Sequence, residues 1–450
     1  MDHSYELGDG LRRGARYDSI FYGAFSGKSA TFDIRVRFEL KKKIDLKKFQ
    51  KAADKALACY PEFRVRPVIK DGRVVYEENT RPVRLYPDNG TPLYFGTEGE
   101  TGTNGYLFAF LYGEKHVTFS LFHGLTDARG MIAYIITVMW NYVCAVFPPV
   151  RIVGSKMFTK HGVRIDPAPF YAMGETERYD PLTAFADDSP PVELVDPAEL
   201  YALPAEQFDP EDLSCRIINL EISNEDFLNR TKELDTSFAP LLAAITGEAI
   251  MTAYDVGDKV VSVSITVDPR KQLGTFSFGN MAYNCPLPMK KEDLALTQKE
   301  LCDRLRADMK RQITAENARA NYKVILSQCD TIDAMGDIIV VNKLITEQGA
   351  AHLSTAATIF LTYPGRIGNN PISRVLLDGV TPGMLAVERG VVVYAHRDSL
   401  IIQITQKSDD LTLVNAMERV LAKYGFAPKK QDMGRVTQNV LELEKLKKAE

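Results

Sequence analysis

Val117-Thr-Phe-Ser-Leu-Phe122 runs directly into His123-Gly-Leu-Thr-Asp-Ala-Arg-Gly130, and this junction decides how the chain is read. Val117, Phe119 and Leu121 alternate with Thr118, Ser120 and Phe122, the period of two that marks a strand. If the alternation continues, His123 leaves the strand end on the face of Val117, Phe119 and Leu121. Asp127 follows four residues later, and the segment from Met131 to Phe147 is apolar and uncharged. A histidine at the mouth of a buried strand, with a carboxylate one turn on, is a place to keep a general base. With six histidines in the chain a chance His-x-x-x-Asp is common, so the surroundings must carry the reading.

Composition sets the outer limits. At 450 residues the chain is long enough for two domains, and 45% hydrophobic with 25% charged residues is the balance of a folded globular protein. A net charge of −4 gives no reason to expect nucleic acid as a partner. Cys59, Cys144, Cys215, Cys285, Cys302 and Cys329 are scattered without Cys-x-x-Cys or metal-ligand spacing, which reads as reduced thiols in a cytoplasmic protein. The other histidines (His3, His116, His161, His352, His396) have no spacing that calls for a metal. The N-terminus lacks the basic and apolar regions of a signal peptide.

Gly130 to Val150 holds no charge and is long enough to cross a bilayer. It also contains Tyr134, Thr137, Asn141 and Tyr142, ends in Pro148-Pro149 and begins inside the His-Asp motif. A buried core helix is therefore expected and no transmembrane segment.

Two halves of alternating strands and helices emerge, an α/β or α+β chain. In the first half, Phe32 to Leu40 alternates as a strand, Asp45 caps a helix carrying Phe49, Ala53, Ala56 and Leu57, and Asp71-Gly72 marks a hairpin. Between residues 166 and 212 prolines crowd together and periodicity fades, as in a crossover or linker, or an ordered surface excursion. In the second half, Cys215–Ile222 and Lys259–Val267 read as strands. Ser223 and Ser237 read as helix starts, and Leu301, Leu305 and Met309 as one face of a long helix. Strands near Ala357–Thr362, Val391–Tyr394 and Leu400–Gln406 follow, then a helix from about Leu411 to Tyr424. The expected division is 1–175, a crossover over 176–212, and 213–450. Lys41-Lys42-Lys43 reads as a solvated corner, and Gly365-Arg-Ile-Gly368 lacks the spacing of a dinucleotide fingerprint.

The order of these pieces resembles the superfamily of chloramphenicol acetyltransferase, peptide-synthetase condensation domains and alcohol acetyltransferases. His123-Gly-Leu-Thr-Asp127 resembles its His-x-x-x-Asp motif, and Thr236–Tyr254 the helix that opens its second half. Val267-Asp-Pro-Arg270 followed by Gly279-Asn280 resembles its strand-end arginine and downstream Gly-Asn. Leu361-Thr-Tyr-Pro-Gly365 resembles its late strand. Phe122 stands where condensation domains carry a first histidine, Ala128 replaces the glycine after the aspartate, and no Asp-Phe-Gly-Trp-Gly element is present.

The resemblance implies two sheet-and-helix halves around a central cleft or tunnel, and acyl transfer from a thioester, acyl-CoA, to an alcohol or amine. It assigns His123 as general base and pairs Asp127 with Arg270 to hold the motif loop. Asn280, Thr362 and Tyr363 are candidates for oxyanion or substrate contact, and Gly130 for backbone freedom or a plain turn. Acyl-CoA is then a co-substrate, with no permanently bound cofactor. The alternatives are a condensation-type enzyme fed by an acyl carrier protein and a non-catalytic binding member of the same fold.

Overall fold

The computed structural model describes residues 6–8, 11–28, 31–149, 173–192, 195–209, 211–348, 357–364, 377–385 and 389–447. The readings at His3, His161, His352, Gly365, Gly368, Pro167, Pro169 and Pro210 lie outside them.

The first lobe is built on a sheet ordered Leu377–Leu385, Asp33–Leu40, His116–Phe122, Phe108–Tyr112, Leu85–Pro87 among the described strands. Its neighbours are antiparallel except the last pair. Val36, Phe38, Val117, Phe119 and Leu121 face two helices, Leu46–Leu57 and Ala128–Val146, and close a single core with Phe49, Ala53, Tyr134 and Val138. Asp45 caps the first of these helices by accepting from the Lys48 N–H at 3.0 Å. Tyr60 joins them, its hydroxyl 2.9 Å from the Ala133 carbonyl and 2.7 Å from Thr137 Oγ1. The helix Ala128–Val146, charge-free after Arg129, is thus a core helix. Met131, Tyr134, Ile135, Val138 and Val143 are all buried in the protein, though its length and hydropathy match a membrane span. A second, smaller sheet adds the hairpin Val65–Lys70 and Arg73–Glu78, turned by Asp71 and Gly72 with φ of 52° and 73°. Both positions need the left-handed region, which Asp-Gly adopts at little cost.

The second lobe holds a sheet of seven described strands. Their order is Tyr283–Met289, Val261–Val267, Ile359–Thr362, Gly390–His396, Ser399–Gln406, Ser214–Ser223 and Lys429–Thr437. Helices Phe238–Ala253, Gln298–Gln312 and Thr412–Lys423 bury Leu241, Ile245, Leu301, Leu305, Met417 and Val420 against it. Ser223 caps its helix through the Asp226 N–H at 3.1 Å, whereas the Ser237 side chain makes no capping bond.

The lobes do not divide at the chain's midpoint. Leu377–Leu385 comes from the second half of the chain yet forms the edge of the first lobe's sheet, with Pro382 opposite Val36. An edge tolerates proline because one side of the strand needs no donor. Helices Ala315–Ala334 and Ile338–Gln348 also cross over. Their Ile332, Ile338 and Ile345 share a core cluster with Phe21 and Tyr22 of the helix Asp18–Ala24. The C-terminal Leu441, Leu443 and Leu446 complete that cluster.

Candidate active site

The motif strand ends at Phe122, and the His123 N–H donates to the Phe32 carbonyl at 3.0 Å, so the main chain of His123 is still held by the sheet. Four residues on, Asp127 is the N-cap of the core helix. Its Oδ1 accepts from the N–H groups of Arg129 and Gly130 at 3.0 and 3.1 Å. The strand places the histidine and the helix start places the aspartate, which is why the two residues need this spacing.

Asp127 Oδ2 belongs to the other lobe. Arg270 Nη2 donates to it at 2.8 Å, and the N–H groups of Met281 and Ala282 at 3.0 and 3.3 Å. Both side chains are buried. Burial alone would raise the Asp127 carboxyl, but the Arg270 guanidinium and the Met281 N–H outweigh it and hold it below the usual carboxylate range. Arg270 is saturated in turn. It donates to the carbonyls of Ser277 and Gly279, each at 2.7 Å, and to Asp268 at 2.9 Å. A buried ion pair with its remaining donors satisfied avoids leaving either charge bare.

The His123 ring sits where the two aromatic clusters meet. Phe21 stacks on it with centroids 5.1 Å apart and planes at 15°, and Phe32 meets it edge-on at 4.8 Å. The residue keeps partial exposure although Nδ1 itself is buried and has no hydrogen-bond partner among the described residues. Burial pushes the imidazole below its ordinary value of 6.5. Its own carbonyl, the Asp127 charge and the Asn280 side chain oppose this only in part, so the neutral ring prevails at pH 7.

Asn280 does not serve as a free oxyanion donor. Its Nδ2 donates to the carbonyls of His123 at 2.9 Å and Gly124 at 3.2 Å, which uses both amide hydrogens, and its buried Oδ1 has no hydrogen-bond partner among the described residues. Gly130 is required by a close approach. A Cβ there would lie 2.0 Å from Thr126 Oγ1 and 2.5 Å from the Phe278 carbonyl, and Thr126 itself bonds that carbonyl. Thr362 and Tyr363 are held elsewhere. Thr362 Oγ1 is 3.1 Å from Thr266 Oγ1 across parallel strands, and the Tyr363 ring stacks on Phe238 at 4.2 Å. His123, Asp127, Gly130, Arg270 and Asn280 therefore converge, and Thr362 and Tyr363 belong to the second lobe's packing.

Phe21, Phe32, Thr126 and the carbonyls of Ser277–Gly279 escaped the sequence reading. Only the N-cap role of Asp127 had a readable signal, an aspartate directly before a long apolar helix. Beside the motif loop, a small pocket opens on Gly124 and Asn280. Asp18, Glu62 and Asp180 line it, and burial pushes the Asp18 carboxyl up to about 7 against the Tyr76 hydroxyl that bonds it. The proline-rich crossover reaches this wall through Arg178–Leu182 and is ordered there. Among the described residues no three His, Cys, Asp or Glu side chains converge as a metal would need.

No family model matches the sequence, and no curated protein matches it. Solved structures do. Polyketide synthase associated protein 5 from Mycobacterium tuberculosis superposes with a TM-score of 0.57 at 12% identity, over 92% of this chain and 97% of that one. The epimerization domain from the third module of tyrocidine synthetase B gives 0.55 at 12% identity, over 93% and 98%. F. sporotrichioides TRI101, solved with coenzyme A and T-2, gives 0.55 at 10% identity, over 92% and 98%. The chain has the two-lobed chloramphenicol acetyltransferase-like fold shared by acyltransferases and condensation or epimerization domains.

Proposed function

We propose that this protein transfers an acyl group from acyl-CoA to an alcohol or amine, with His123 as general base. One observation carries the reading: a neutral imidazole, partly open, sits on a loop clamped between lobes by Asp127, Arg270 and Asn280. His123 takes the acceptor's proton as its oxygen or nitrogen bonds to the thioester carbonyl carbon. When the tetrahedral intermediate collapses, the C–S bond breaks and the same proton passes to the sulfur. No covalent enzyme intermediate is needed. Asp127 stays with Arg270 throughout and holds the loop, because every described donor around it is already engaged.

Free acyl-CoA is favoured as donor over a carrier-bound thioester. Phe122 is buried in the aromatic cluster at the position where condensation domains carry their first histidine. The test is thiol release from acetyl-CoA against a panel of alcohols and amines. His123→Ala should lower turnover by roughly 10²–10⁴-fold with little change in melting temperature. No turnover with any free acyl-CoA, or wild-type turnover by the mutant, removes the proposal.

A further inference from the structure

The helix Leu46–Leu57 has two unlike faces. Phe49, Ala53, Ala56 and Leu57 enter the first lobe's core, while Lys47, Lys51 and Lys55, spaced four residues apart, stand exposed on the other side. Like charges at this spacing repel one another, so the fold carries them at a cost. The corner before the helix adds the exposed Lys42 and Lys43, and the turn packed on that corner adds Lys115. The Ile44 N–H donates to the Glu114 carbonyl at 3.0 Å and the Leu40 N–H to the Lys115 carbonyl at 2.6 Å, which joins the two. Acidic dilution is slight. Asp45 lies 3.6 Å from Lys48, Glu114 lies 3.9 Å from Lys43, and Asp54 accepts from Gln50 and the Val83 N–H. In a chain of net charge −4 this is a segregated positive face.

The neighbouring core helix ends at the same corner. It runs antiparallel to the first: the Tyr142 hydroxyl near its end accepts from the Asp45 N–H at 2.9 Å, and Ala133 and Thr137 nearer its start meet Tyr60. Phe147, just past its last turn, is 52% exposed and leads into the exposed Pro148 and Pro149. A large aromatic ring left in water beside a lysine corner suits a membrane interface, where the ring enters the headgroup boundary and the ammonium groups meet anionic lipid.

We propose that this face docks on the anionic surface of a lipid bilayer, with Lys47, Lys51, Lys55 and the corner lysines on the headgroups and Phe147 inserted between them. The chain then lies on the membrane and does not span it. An acidic protein or a nucleic acid fits less well. The cations of this face are lysines, point charges suited to a diffuse field, without the arginine fork that reads a single carboxylate or phosphate. The corner also lies at the opposite end of the strand His116–Phe122 from His123, roughly 20 Å along it, so a carrier protein seated there is not placed to present a thioester to the site.

The test floats the purified protein with vesicles of phosphatidylcholine alone or mixed with phosphatidylserine. Binding should require the anionic lipid and weaken as salt is added. Lys47→Ala, Lys51→Ala and Lys55→Ala combined should lower the partition coefficient by roughly 100-fold, about fivefold per lysine. Phe147→Ala should lower it by roughly tenfold at every salt concentration where binding is measured. All four side chains are exposed, so these variants should keep the wild-type melting temperature and the wild-type thiol release with a soluble acceptor. The membrane surface and the acyl-transfer reading can therefore fail separately. No binding to the anionic vesicles overturns the proposal, as does unchanged binding by the triple variant. Vesicle binding that Phe147→Ala leaves intact, matched by equal retention on heparin, marks a general polyanion surface and overturns it too.

Discussion

His123 is held neutral by burial, and that has a sign in both activity and stability. Its folded pKa lies below 6.5, so the base form persists to lower pH than for a free imidazole. Turnover should fall only as pH drops below 6.5, with the acid limb of the kcat/KM profile under that value; a limb at 7 or above contradicts the burial argument. The unfolded chain takes the proton first as pH falls. His123 therefore costs nothing above about 6.5 and destabilises the fold progressively below it, an effect that His123→Gln should remove from the pH dependence of melting. At Asp127 two roles can be separated. Asp127→Asn keeps a helix cap but leaves the buried Arg270 with only the half-exposed Asp268 as counter-charge, which should cost about 1–3 kcal/mol, and Asp127→Ala should cost about 1 kcal/mol more for the cap. In a denaturant double-mutant cycle with Arg270→Ala, the double mutant should cost less than the sum, and strict additivity would refute the pairing.

The core helix Ala128–Val146 shows how an element's contacts reverse a local preference. Alanine normally gains about 1 kcal/mol over glycine inside a helix. At Gly130 the second lobe's Phe278 carbonyl and Thr126 occupy the space of a Cβ, so Gly130→Ala should instead destabilise by about 1–3 kcal/mol. A higher melting temperature for this variant would show that the loop carrying Phe278 moves aside freely. Elements with strong periodicity were readable to within about three residues, the helix expected to run to Tyr60 ending at Leu57. The helix Leu46–Leu57 and the strands Asp33–Leu40 and His116–Phe122 each present one apolar face at a fixed period. Leu377–Leu385 was missed because Gly379, Pro382 and Gly383 break its alternation, which an edge position permits. Lys429–Thr437 was missed because it is a largely exposed, charged edge strand with no buried face to give it a period.

At the scale of the molecule the lobes are stitched together more than a boundary near residue 212 implies. Besides Leu377–Leu385, the C-terminal Asn439 is buried in the first lobe. Its N–H meets Asp33 at 2.8 Å, its Nδ2 meets Ser120 at 2.7 Å, and its Oδ1 accepts from Leu93 at 2.9 Å. Removing either lobe would expose part of the other's core, so unfolding should be one transition despite the chain's length. The single tryptophan makes this testable: Trp140 lies on the first lobe's core helix. Its fluorescence should follow the same urea curve as far-ultraviolet circular dichroism of the whole chain, and two separated midpoints would show independent lobes.

What the sequence determined by itself is local and periodic. The motif strand and its histidine, the apolar helix that follows and the Asp71-Gly72 hairpin follow from residue type and spacing along the chain, whereas the partner named for Asp127 came from the resemblance. What only the tertiary structure decided concerns groups brought together from distant positions. The buried His123 Nδ1 and Asn280 Oδ1, without partners among the described residues, the two carbonyls that consume the Asn280 amide, and the carbonyl that forbids a side chain at Gly130 are such groups. The physical reason is that periodicity reports which face an element buries, whereas hydrogen-bond satisfaction and close approach depend on where another element's backbone comes to rest.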